Sequence, residues 1–141
     1  MALTNTPAWP QSPRHAAVGI SSGNPNTDGS GTITTVMAAG ANGTRITGLH
    51  VGASATVTAT AVRFFVSVNG GGTWTYLPRL DTVVPAHTLA DSTENVGRAA
   101  ALDQSDPTAT FDLPPNAALG VAVAVAVSGG DMIVEVMGAD Y

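Results

Sequence analysis

The sequence predicts an all-β fold, an antiparallel β-sandwich or jelly roll of about eight strands. An extended N-terminal arm is expected over residues 1–30, with the sandwich domain over residues 31–141. Ala, Thr, Val and Gly make up just over half of the chain. Thr and Val are β-branched and favour strands, while Gly supplies turns. Short runs of alternating polarity recur between turn signals, as in sandwiches and barrels. No segment carries a helical period long enough to matter.

The first thirty residues hold Pro7, Pro10, Pro13 and Pro25, with Gly19, Gly23 and Gly29. No period survives there, so an arm followed by a loop is predicted. After Leu3, Trp9 and Ile20 are its bulky apolar anchors. An arm of this kind is either disordered or bound to a neighbour.

Residues 32–38 read as a strand, and Asn42-Gly43 after it is a strong hairpin signal. A second strand covers 45–51, with Ile46, Gly48 and His50 alternating against Thr47, Leu49 and Val51. The longest strand covers 56–68. One face carries Val62, Phe64 and Val66 and becomes a core face at Val62; the other carries Arg63 and Phe65. Asn69 to Gly72 turn the chain into a strand over 73–77. If Val68 pairs with Thr73, then Trp74 and Tyr76 join Arg63 and Phe65 on one face. A bulge at the glycines would reverse this.

Val83-Val84 before Pro85 suits a short edge strand, and 78–106 reads mainly as a long connection between sheets. Residues 108–113 alternate, with Ala109, Phe111 and Leu113 inward. Residues 121–127 alternate Val and Ala throughout; the valines belong in the core, and the alanines allow close approach by another layer. Ser128 to Asp131 make a hairpin turn into a last strand over 132–137, with Met132, Val134 and Val136 sharing a face.

Composition narrows the function classes. There are no cysteines, so no disulfide framework or thiolate metal site. The net charge is −5, with five arginines and no lysine, which argues against nucleic acid. The longest nearly apolar run, 117–127, is far shorter than the ~20 residues of a membrane helix, and no signal peptide is recognised. Charged residues are only 11% of the chain, against about 25% in an average domain. One reading is a surface partly covered by other subunits; the other is a codon bias toward Ala, Gly, Val and Thr.

The motifs are weak. Gly19-Ile20-Ser21-Ser22-Gly23 matches the nucleophile-elbow pattern, but that motif needs a strand turning into a helix, and Asn24-Pro25-Asn26 follows. Residues 24–29 resemble half a calcium loop, yet the twelfth position is Thr35 rather than a bidentate Glu. Asx hydrogen bonds in a glycine turn explain them as well. His15, His50 and His87 lie on separate segments without paired ligand spacing. Most carboxylates sit in turns, and none pair as acid and base. No catalytic residue, metal or cofactor is expected.

The strongest candidates for binding are Arg63, Phe65, Trp74 and Tyr76, joined by Trp9 and Arg14 of the arm. Aromatic and arginine side chains dominate interface hot spots. The aromatics also suit stacking on a sugar ring, and they equally suit a core.

In order along the chain, several segments resemble a widespread group of small bacteriophage virion proteins. They are Ala38-Ala39-Gly40-Ala41-Asn42-Gly43-Thr44-Arg45-Ile46, Val62-Arg63-Phe64-Phe65-Val66-Ser67, the glycine hairpin with Trp74, and Val84-Pro85-Ala86-His87-Thr88. Asp112-Leu113-Pro114-Pro115-Asn116 and Gly138-Ala139-Asp140-Tyr141 complete the series. The likeness spans about residues 30–141 and is poorest over 89–106. At the C-terminus Gly138-Ala139-Asp140 replaces the more usual paired glycines. The resemblance implies a non-enzymatic structural component of the head. The first expectation is a capsid decoration or cement protein on the outer capsid surface, a homotrimer bound to the major capsid protein. The alternative is a tail or fibre-associated module that binds host glycans.

Overall fold

The computed structural model describes residues 9–86, 88, 99–102 and 110–141. The chain is all-β, with two antiparallel sheets packed in a sandwich-like pair. The first sheet runs β1 (Ser12–Ile20), β10 (Met132–Asp140), β3 (Thr44–Ala53), β7 (Ala99–Leu102), and β8 (Phe111–Leu113) also pairs with β3. The second runs β2 (Thr34–Ala38), β9 (Ala118–Val123), β4 (Thr60–Ser67), β5 (Thr75–Tyr76), and β6 (Thr82–Val84) also pairs with β4. A single 3₁₀ turn, Pro78–Leu80, links β5 to β6.

The core lies between the sheets and follows the two-residue period of their strands. Val62 and Phe64 of β4, Val121 and Val123 of β9, and Val134 and Val136 of β10 are fully buried within it. Val84 of the short β6, just before Pro85, fills the same cluster.

The structure departs from the sequence reading in five places. Residues 12–20 are not a free arm: they form β1, which pairs with β10 in unbroken register from Ser12–Asp140 to Ile20–Met132. Ile20 is buried, and Ala16 and Val18 pack on the core. Pro13 is tolerated because β1 is an edge strand. In β3, strict alternation fails. Gly138 pairs with Ile46 while Met137 pairs with Gly48, so Thr47 is an extra residue. That bulge turns Ile46 inward beside Leu49 and Val51.

The strand predicted over 56–68 starts only at Thr60. The Val/Ala alternation of 121–127 outlasts its strand. After Val123 the chain leaves the ladder, Val125 N–H donates to the Thr60 hydroxyl, and Val125 is 49% exposed. Within the connection expected over 78–106, residues 99–102 pair with β3, while residues 91–98 lie outside the described residues, as do Thr108, Ala109 and His87.

Candidate interaction site

The hairpin after β4 decides which side chains meet. Gly70 and Gly71 take φ of 71° and 97°, which favours glycine. The Asn69 side chain closes the turn by accepting from Thr73 N–H at 2.9 Å. The resulting register pairs Phe65 with Tyr76 and Val66 with Thr75, the register in which Val68 meets Thr73. No bulge intervenes, so Arg63, Phe65, Trp74 and Tyr76 do assemble on one face. It is the outer face of the second sheet. The Phe65 and Tyr76 rings lie 5.6 Å apart at 47°. Gly120 of β9 is the register partner of Phe65, and the Trp74 ring lies over it. A Cβ at Gly120 would stand 2.6 Å from both Trp74 Cζ3 and Ile33 Cγ2.

That face is covered by the chain's own loop, residues 21–33. Gly23 bridges Val123, and Asn24 N–H donates to the Val123 carbonyl at 2.7 Å. Asn24 is only 4% exposed. Its amide donates to the carbonyls of Ser30 (2.9 Å) and Thr32 (3.0 Å), and its Oδ1 accepts from Asn26 N–H at 3.1 Å. Gly29, at φ 85°, backs onto the Trp74 carbonyl so closely that no side chain fits there. Arg63 Nη1 donates to the Pro25 carbonyl. Phe65 is therefore fully buried, while Trp74 and Tyr76 stay half-buried. The loop covers the outer face where a core, a partner molecule and a sugar ring had all been open readings.

The stretch resembling a calcium loop is used up in the same way. Asp28 Oδ1 accepts from the hydroxyl and the N–H of Ser30, and the hydroxyl bond is the chief cause lowering its pKa. Ser21 leads into this loop, not a helix, and its carbonyl accepts from Val127 N–H. The Tyr76 hydroxyl donates to Asp81 Oδ2 at 2.6 Å, and that bond holds the phenol above its usual pKa.

Trp9 and Arg14 lie apart from the aromatic group, on the first sheet's side. Trp9 is 69% exposed. Arg14 Nη1 pairs with Asp140 Oδ2 at 2.7 Å, and Thr44 donates its hydroxyl to the other carboxylate oxygen. Arg14 thus ties the edge strand β1 to β10. Nearby, Arg45 Nε pairs with Asp112 at 3.0 Å and lies over the Tyr141 ring, whose hydroxyl also donates to Asp112. Ile33 and Gly120 escaped the sequence reading, and Asn24 entered it only as part of a glycine turn with Asx hydrogen bonds, which Asn26 N–H to Asn24 Oδ1 bears out. The Asn-Pro-Asn-Thr-Asp-Gly run was the one signal that the loop is built, but nothing in it showed which face it would cover.

A shallow groove of about 290 Å³ runs between residues 56–60 and 125–128, lined by threonine and serine hydroxyls and by Val and Ala. None of its lining groups is charged. No model of a known protein family matches this chain, and no curated protein is significantly similar to it.

Proposed function

We propose that this is a non-enzymatic virion structural protein, a capsid decoration or cement protein with a jelly-roll-type sandwich, working as a symmetric homo-oligomer. It is made in the host cytoplasm and sits on the outer capsid surface over junctions of the major capsid protein. The observation that carries the reading is the ordered series of segments over residues 30–141 that resembles small phage virion proteins. The sparse charge is a second support, because a chain with only 11% charged residues suits permanent contact with other subunits. The function is mechanical. Each standard interface buries ~1,600 Å², and repetition over a shell multiplies a small gain per copy.

The docking residues follow from what the fold leaves open. Phe65 is fully buried, so of the aromatic candidates Trp9 and the exposed rims of Trp74 and Tyr76 remain to meet a capsid protein. Removing residues 2–18 is not a clean test, since it strips most of β1 from the first sheet. The direct test is copy number in purified particles, by quantitative mass spectrometry against the major capsid protein. A count comparable to the capsid protein is expected. A small fraction of it refutes decoration and favours the glycan-binding tail module, for which the half-buried Trp74 and Tyr76 rings are the motivating feature.

A further inference from the structure

The chain holds seven asparagines, and two of them, Asn42 and Asn69, precede a glycine. That pairing matters chemically. A glycine backbone nitrogen is shielded by no side chain and can attack the amide carbon of the asparagine before it. Both asparagines are exposed and sit in turns, Asn42 where the chain passes from β2 to β3 and Asn69 between β4 and β5. Both attacking nitrogens are held by a backbone bond. Gly43 N–H donates to the Gly40 carbonyl at 3.0 Å, and Gly70 N–H to the Asn116 carbonyl at 2.7 Å. Either turn must open before base can take that proton.

The side chains are held very differently. Asn69 Oδ1 accepts from the Ser67 hydroxyl at 2.7 Å and from Thr73 N–H at 2.9 Å. Its Nδ2 donates to the Thr73 hydroxyl at 3.4 Å. Rotating that amide toward Gly70 breaks these bonds. Asn42 has one side-chain bond among the described residues, from Nδ2 to the Tyr141 carbonyl at 3.4 Å. The other described asparagines are poorer candidates. Asn24 precedes Pro25, whose nitrogen carries no proton. Asn26 and Asn116 precede Thr27 and Ala117, whose side chains crowd the attack.

We infer that Asn42 is a site of spontaneous covalent modification, turning to aspartate and isoaspartate with water as the co-reactant. Base removes the Gly43 amide proton, and the nitrogen's electron pair forms a bond to Asn42 Cγ. The Cγ–Nδ2 bond breaks, and Nδ2 takes up a proton and leaves as ammonia. A cyclic imide remains. Water then opens the ring at one of its two carbonyl carbons. Opening at Cγ restores the backbone and leaves aspartate. Opening at the backbone carbonyl carbon of Asn42 leaves isoaspartate, whose main chain runs through Cβ and Cγ. Nothing is oxidised or reduced. Either product adds a negative charge beside Tyr141, at the end of the sandwich where Arg14–Asp140 and Arg45–Asp112 secure the strands.

The inference stands apart from the virion reading, since the chemistry needs only the folded chain and water. The test holds the purified full chain at mildly alkaline pH and follows it by trypsin digestion and mass spectrometry. Cleavage after arginine puts Asn42 in the peptide 15–45 and Asn69 in the peptide 64–79, so every sample carries its own control. Fragmentation of the first peptide then locates the new acid. Asn42 is expected to convert at least about tenfold faster than Asn69, because Asn69 must first give up its side-chain bonds. In the chain held unfolded in urea, the two sites should convert at similar rates. A native chain in which Asn69 converts as fast as Asn42 overturns the inference. So does one in which Asn42 stays an amide while the unfolded chain converts. The same tenfold preference in urea also overturns it, since the fold would then not be the cause.

Discussion

Replacing Asn24 isolates what holds the loop on the second sheet. Its side chain makes three hydrogen bonds, two as donor to the Ser30 and Thr32 carbonyls and one as acceptor from Asn26 N–H. A typical internal hydrogen bond contributes about 1 kcal/mol net, so Asn24→Ala should cost about 3 kcal/mol. Asn24→Asp is the sharper variant because it keeps the shape. It retains the acceptor toward Asn26 but loses both donors and aims a carboxylate at two carbonyls. The expected cost is about 2 kcal/mol from the lost donors, and more once the carboxylate ionises. Urea titration followed by Trp74 fluorescence, in a Trp9→Phe background, reads both the loss of stability and the exposure of the ring beneath the loop. Limited proteolysis within residues 25–30 should speed up in parallel. If Asn24→Asp is as stable as the parent and as resistant to protease, the loop is held by something other than these bonds, and the account of the covered face fails.

Phe65→Ala should destabilise the isolated protein by about 3–5 kcal/mol, as Phe64→Ala should, although the two rings point to opposite faces; an unchanged urea midpoint for Phe65→Ala would mean that its face is closed only by a partner. Acid sensitivity should come from the carboxylates that secure the strand ends. The Thr44 hydroxyl and then Arg14 hold Asp140 below the usual carboxylate pKa, and Arg45 does so for Asp112. The native state therefore binds these protons less tightly than the unfolded chain. Their contribution is full above the ordinary value of 3.8 and fades as pH falls through the lower native values. Asp140→Asn should flatten the fall in urea midpoint below about pH 4, and a curve as steep as the parent's would count against this assignment.

Much of this architecture was legible from period alone, because half-buried strands must alternate. The register of the 68–73 hairpin was legible only as one of two alternatives, and the unbulged one, which groups Arg63, Phe65, Trp74 and Tyr76, is the one the fold adopts. What period could not show was the layer above that group. The loop is fixed by hydrogen bonds from one asparagine and by close approach at Gly29 and Gly120, and neither leaves a periodic trace. β1 was obscured for a different reason. Its inward residues Ala16, Val18 and Ile20 do alternate, but Ala17 and Gly19 between them are too small to read as a polar face, and Pro13 reads as a breaker. At residues 124–127 the error ran the other way: the pattern continued where hydrogen bonding had moved to Ala61, Thr60 and Ser21. Trp9 and Arg14 offered no spacing that could tell a docking residue from a structural one, and for Arg14 the partner lay at the far end of the sequence.

The seating of β10 between β1 and β3 also sets an order of events during synthesis. Both neighbours of β10 are made long before it, and neither can complete the first sheet until residues 132–140 have left the ribosome. The growing chain must therefore carry the apolar side of β3 (Ile46, Leu49, Val51) without its main partner for most of its translation. Pairing between chain ends is slow relative to local structure. The first sheet accordingly closes only after residues 132–140 are made, and a ribosome that stalls shortly before Met132 leaves an unfinished sheet with two strands in search of the same missing neighbour.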